Sequence, residues 1–293
     1  MKLKSAFVLL FLFNITHSLT GQETTKIKYP IDKNFYEAVD KWVMFPENNN
    51  DSTYLYGFIY IDETAGFTFD CVNSFSIDNE GKFVPYPLES PLNLKARIDR
   101  NWHQVGIIPD EKLEELGLPL LPEWLPMYKI NEGSDKYAVR MGYFYNAAGA
   151  SELALGYLEG VYGRAPDTEG LPFELSFAYN ALHDYEKGAL VAERALMTDP
   201  DNFLLYKELI HALCNMGRME EAEAAVATGM EKTENRHYKS EMAINMAQAY
   251  YIAGNREKFE EWYDTTKKHA IKGSYVDQYA DHLKAGSNNA DPE

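Results

Sequence analysis

Between Asp135 and about Gly273 the apolar positions recur at i, i+3, i+4 and i+7, which is the period of an amphipathic helix. These stripes come in pairs, parted by a short break that usually contains glycine. Upstream the texture is different. Tyr54–Ile61, Phe67–Val72, Phe75–Ile77 and Lys82–Val84 are short aromatic and β-branched runs, interrupted at Glu63–Gly66, Asn73–Ser74 and Asp78–Gly81. Such runs between turn-forming residues predict an antiparallel meander. Trp42–Phe45 opens it, and the nearly continuous apolar run Tyr54–Ile61 reads as a central strand. Asp32–Asp40 and Asp110–Leu116 predict short helices. In the second, Asp110 is the cap, Glu111 and Glu114 suit the positive end, and Gly117 is the stop. Residues 86–109 carry no assignable pattern. The run 118–126 is apolar but punctuated by Pro119, Pro122 and Pro126, each of which restricts its neighbour, so an extended strap along the first helical pair is expected there. The polar stretch Asn131–Ser134 marks the expected boundary.

The helical half has a fixed spacing. Gly149, Ala154 and Pro166 are followed 34 residues on by Gly188, aligned with Ala154, and by Pro200. A further 34 residues bring Gly217 and Ala222 to the positions of Gly149 and Ala154. The first unit, Asp135 to Thr168, holds Met141, Gly142, Tyr145, Leu158 and Val161. The second, Glu169 to Asn202, has Leu175, Ser176, Tyr179, Ala192 and Ala195 at the same offsets, with His183 where the turn glycine would stand. The third has Leu209, Ile210, Leu213, Val226 and Gly229. The fourth, after a slip of about three residues, has Met246, Ala247, Tyr250, Gly254, Phe259 and Tyr263. Small residues at 142, 154, 188 and 222 permit close helix crossing. A lone hairpin cannot bury its apolar face, so such units must stack. Tyr275, Tyr279 and Leu283 then predict a helix that caps the stack.

This pattern resembles the tetratricopeptide repeat over roughly half the chain. The fold expected is therefore multidomain α+β. A leader at 1–21 precedes a small β-rich domain at 22–130. An all-α superhelix of about four hairpins plus a capping helix follows at 135–285, right-handed by the resemblance, with a disordered tail at 286–293.

The resemblance also implies a concave groove lined by the first helix of each hairpin. Its residues would be Val139, Tyr143 and Asn146; Phe173, Phe177 and Asn180; Lys207, His211 and Cys214; and Ile244, Gln248 and Tyr251. Amides at Asn146 and Asn180 can donate to and accept from an extended peptide. Tyr143, Phe173, Phe177 and Tyr251 would add apolar contact, unless some pack against the strap instead. Lys207 is the lone matching charge, so a clamp for a terminal carboxylate is not expected.

The net charge of −17 argues against nucleic acid and anionic membranes as partners. Lys2 and Lys4, the apolar run Ala6–Ile15 and the small or polar Thr16–Gly21 have the layout of a secretory leader. Its apolar run is too short to span a bilayer, and no later stretch qualifies. Cleavage is expected near Gly21–Gln22, with an uncleaved anchor as the alternative. Cys71 and Cys214 read as two separate buried thiols rather than a bridge. No hydrolase, metalloprotease, phosphate-loop or dinucleotide motif occurs, and the histidines are scattered, so no cofactor or metal is expected. Cys71, His103 and Asp99 are the one nucleophile set that can be assembled. The expectation is an exported, non-enzymatic module that holds a protein or peptide partner. The alternatives are an enzymatic N-terminal domain positioned by the stack, or a structural subunit of an envelope assembly.

Overall fold

The computed structural model describes residues 29–48, 51–87 and 94–289. The expected leader lies outside them, as do residues 290–293 of the expected tail.

The N-terminal part is one antiparallel sheet. Its strands are β1 (Lys41–Met44), β2 (Tyr54–Asp62), β3 (Gly66–Ile77), β4 (Phe83–Pro85), β5 (Leu94–Arg97) and β6 (Gly106–Ile107). The order is β4-β3-β2-β1-β6, and β5 also pairs with β3, so β4 and β5 share its outer edge. The break expected at Asn73–Ser74 does not exist. A bulge lets β3 run through it: Tyr56 faces Asn73 and Gly57 faces Cys71, with Val72 as the extra residue. The bulge moves odd-numbered side chains of β3 from one face to the other. Phe67, Phe69 and Cys71 point to one core, and Phe75 and Ile77 to the second. The expected hairpin turn is present, with Asp78 Oδ1 accepting from the amides of Glu80 and Lys82. The expected short helices are 3-10 turns, one at Phe35–Glu37 and two in succession at Asp110–Lys112 and Glu114–Leu116; Pro109 rather than Asp110 stands at the N-cap, and Gly117 ends the last in a left-handed conformation.

Helices α1 (Asp135–Ala148) and α2 (Ser151–Arg164) form the first hairpin, followed by α3 (Leu171–Ala181) and α4 (Tyr185–Leu196). The third and fourth are α5 (Phe203–Asn215) with α6 (Met219–Glu231), and α7 (Arg236–Ile252) with α8 (Arg256–His269). A last helix, α9 (Tyr275–Asn289), packs on α7 and α8. The tail expected from 286 is thus helical to Asn289, where Gly286 lies against the Tyr251 ring with no room for a side chain. The turns follow the spacing. Gly149, Gly217 and Gly254 have φ of +80°, +73° and +69°, and His183, without glycine's freedom, takes +64°. At Gly142 an added Cβ would collide with Leu158, so glycine is what lets α1 and α2 close.

The hydrophobic core crosses the expected boundary at 131–134. One continuous cluster joins Ile59, Ile61, Phe67, Phe69 and Cys71 of the sheet to Met141, Tyr145, Leu158 and Leu175 of the first two hairpins. The Phe67 and Tyr145 rings meet edge-on at 5.4 Å. Solenoid ends need covering, and here the sheet covers the first hairpin. The strap expected along that hairpin packs instead on the sheet's opposite face, and it is not extended throughout. It turns at Glu123–Trp124 into a 3-10 helix, Leu125–Tyr128, whose first turn accepts Pro126 because proline's missing N–H has no helical partner to lose there. Trp124 meets Phe58 and Tyr60, Leu125 is buried with them, and Trp42 Nε1 donates to the Pro119 carbonyl at 2.7 Å. The reason is alternation: Tyr54, Tyr56, Phe58 and Tyr60 make the second sheet face as apolar as the first, and the helices can cover only one.

Candidate functional site

The odd-numbered helices touch one another in series from α1 to α9, and so form the inner layer of the stack. Between α3 and α9 that layer encloses a concavity of about 360 Å³. Its walls are Phe177 of α3, Lys207 and His211 of α5, Glu241, Ile244 and Asn245 of α7, and Tyr275 and Val276 of α9, over a floor that includes Asn180 and Glu208.

The floor is a ladder of buried polar pairs. Asn146 Nδ2 donates to the Glu174 carbonyl at 2.9 Å and to its Oε2 at 2.8 Å. One repeat later Asn180 Nδ2 donates to the Glu208 carbonyl at 3.0 Å and to its Oε2 at 3.1 Å. All four residues are buried, between 3% and 8% exposed. At the next interface the corresponding positions are Cys214 and Met242, and Cys214 Sγ lies 3.4 Å from Met246 Sδ. The bridging rung there is sulfur and hydrocarbon rather than amide and carboxylate. Burial pushes the Glu174 carboxyl above its ordinary range, and the nearby Glu208 adds to this; the Asn146 hydrogen bond and Lys207 oppose it.

Lys207 is pinned above this floor. Its Nζ is 3.4 Å from Glu208 Oε1 and 3.6 Å from Glu241 Oε2, and sits 5.6 Å from the centre of the Phe173 ring. Burial alone would lower its basicity, but Glu208 and Glu241 more than reverse this, so the ammonium is held above its usual value. His211 Nδ1 is 3.4 Å from Asn245 Oδ1, and its ring meets Tyr185 at 5.9 Å.

The structure gathers Phe177, Asn180, Lys207, His211 and Ile244 at one place, with Phe173 beside them. Asn146 and Asn180 hold the next helix, and are too buried to serve as free amides for a bound chain. Tyr143 is exposed on α1 next to Phe144, away from the concavity. Tyr251 is covered by α9, and Gln248 does not line the concavity. The side chains facing Lys207 and His211 are Glu241 and Asn245, each 34 residues further on. The three-residue slip belongs at the end of α7, which at 17 residues is the longest of the repeat helices. The spacing therefore holds through most of α7, a signal present in the sequence. Tyr275, 79% exposed, comes from the capping helix, which the repeat pattern does not cover.

Cys71 and Cys214 are unbonded. Cys71 is buried in the shared core, where burial, reinforced by Asp70, pushes its thiol up; His103 is exposed on a loop, and no hydrogen bond joins them. Burial pushes the Cys214 thiol up to about 12. Neither sulfur has the electropositive, accessible setting of a reactive thiolate.

Residues 180–244 match the family described as tetratricopeptide repeat. No curated protein matches the chain. Among solved structures, a thermophilic TPR protein of Thermus thermophilus is similar, at 18% identity and a TM-score of 0.45, over 54% of this chain and 84% of that one. MamA from AMB-1 is similar at 21% identity and a TM-score of 0.41, over 50% of this chain and 84% of that one. Spacing, turn geometry and the family match agree: the C-terminal half of this chain is an array of tetratricopeptide-type repeats behind a strand-rich N-terminal sheet.

Proposed function

We propose that the chain is an exported, non-enzymatic module whose helical stack holds a protein or peptide partner in the concavity between α3 and α9. The observation that carries this reading is the concavity itself. It combines the half-buried rings of Phe177 and His211 and the exposed ring of Tyr275 with a floor fixed by buried pairs. Recognition surfaces favour such rings because they give large contact at small entropic cost. Repeat stacks of this kind supply extended concave binding surfaces. Export rests on the basic, apolar and polar order of residues 1–21, and intact mass of the processed protein tests it, with Gln22 expected as the first residue. The binding test compares affinity capture from native extract by the full chain and by Phe177→Ala/His211→Ala, both substitutions being at half-buried positions. Loss of a partner specific to the parent chain is expected; retention of every partner refutes the groove. An enzymatic role for the Cys71 region loses support from the burial of that thiol.

A further inference from the structure

The face of the sheet turned away from the helices carries a cluster that the repeat stack does not use. Tyr60 of β2 and Trp124 and Tyr128 of the strap segment turn their rings toward one another. Centroids are 4.8 Å apart for Tyr60 and Trp124, 4.6 Å for Tyr60 and Tyr128, and 5.7 Å for Trp124 and Tyr128. The ammonium of Lys95 sits over all three rings, at 4.7 Å from Trp124, 5.2 Å from Tyr128 and 5.3 Å from Tyr60. Alternation puts it there. Lys95 is the cross-strand neighbour of Asp70, and Asp70 that of Phe58, so all three project from the same face as Tyr60.

Lys95 is held loosely in this cluster. Its carboxylate contact, Asp70 Oδ2, is 3.8 Å away, and the phenol oxygens of Tyr60 and Tyr128 are at 3.3 and 3.4 Å. These are long distances for an ammonium. The lysine side chain is 43% exposed and hangs from a four-residue strand at the sheet edge. Lys112 gives the contrast: its ammonium is 2.8 Å from Glu115 and faces a single ring, Phe83. A primary ammonium is compact and strongly hydrated, and at these lengths the two phenol oxygens and the carboxylate hold its N–H groups only loosely beside the Trp124 ring. A quaternary ammonium has no N–H donors to satisfy, and spreads its charge over methyl groups that fit against aromatic rings.

We propose that Tyr60, Trp124, Tyr128 and Asp70 form a recognition cup for a quaternary ammonium head group, with Lys95 as its resident stand-in. The ligand displaces the Lys95 ammonium; its positive charge takes the place of that ammonium beside Asp70. The site is remote from the helical concavity, so neither reading depends on the other.

The test uses the full chain and Lys95→Ala, titrated with choline chloride and tetramethylammonium chloride by calorimetry. Sodium chloride at equal ionic strength and 3,3-dimethylbutanol, the uncharged analogue of choline, are the controls. Lys95→Ala is expected to bind choline about tenfold more tightly than the parent, and Lys95→Ala/Tyr128→Ala to lose about tenfold again. In the parent chain, choline is expected to speed acetylation of Lys95, read by mass spectrometry, a measurement that needs no variant. Vesicles of phosphatidylcholine form a parallel arm: binding to them but not to free choline identifies the head group as lipid-borne, and binding to free choline identifies a small solute. The proposal is overturned if a folded Lys95→Ala binds neither, if the uncharged analogue binds equally, or if Lys95 acetylation ignores choline and vesicles alike.

Discussion

Asn180→Ala tests the ladder beneath the concavity. The substitution removes both Nδ2 hydrogen bonds to Glu208, at 3.0 and 3.1 Å, and leaves a carbonyl and a carboxylate without those donors at a residue 4% exposed. Lys207 Nζ remains 3.4 Å from the other carboxylate oxygen and limits the loss. Stranding buried acceptors costs about 1–3 kcal/mol, more when one is charged, so about 3 kcal/mol is expected here. For a chain of this length that corresponds to a fall in Tm of roughly 5 °C, followed by circular dichroism. The paired change Asn180→Cys/Glu208→Met copies the residues at the next interface, Cys214 and Met242, and removes the amide donor together with the carboxylate acceptor, leaving the backbone carbonyl of residue 208. It is expected to cost less than Asn180→Ala, because no buried carboxylate is left without its donor and Lys207 keeps Glu241 at 3.6 Å. An Asn180→Ala cost below about 0.5 kcal/mol, or a paired variant as damaged as the single one, refutes the ladder as a structural bond.

Three further outcomes are expected. His183→Gly relieves a left-handed backbone at φ +64° and gives up an exposed contact to Tyr185, for a gain of up to about 1 kcal/mol in urea unfolding. Glu174→Gln keeps an acceptor for Asn146 while removing a buried charge. Because the folded carboxyl titrates above its unfolded value, its favourable contribution is present in acid and lost as pH rises through the folded value. The glutamine variant should therefore melt higher than the parent at neutral pH, with the advantage vanishing toward about pH 4. A fragment beginning at residue 131 loses the sheet that covers Met141 and Tyr145, and should aggregate or melt without cooperativity, whereas the full chain does not.

The repeat array was legible because its evidence is local. Glycine at a left-handed turn, small residues at a crossing and apolar stripes each leave a mark at a fixed interval, and His183 could be placed by register alone. The meander was legible in its strands but not in its joins. Asn73 and Ser74 look like turn residues, yet Asn73 Nδ2 donates to the Tyr86 carbonyl at 2.7 Å and its Oδ1 accepts from the Ser74 amide, which stabilises the bulge inside β3. The strap's location was not legible. Leu118 to Pro126 is apolar and punctuated by prolines, and nothing in its composition states which of two apolar surfaces it covers. Asn146 and Asn180 show where the groove was hard to read. Their recurrence reflects a bond to the next helix, and periodicity alone does not separate a repeated contact within the stack from a repeated contact to a ligand. At α7 the slip was real but misplaced: added length at the end of the helix leaves Glu241 and Asn245 in register with Lys207 and His211.

The central claim is that the inner face of the stack, and not its outer face, meets the partner. A photo-crosslinking amino acid placed at Phe177, in the concavity, and separately at Leu190, 63% exposed on α4, reads this directly in cells producing the full chain. The account predicts a discrete adduct from position 177 and none from 190. Adducts from 190 alone, or equal adducts from both, would contradict it.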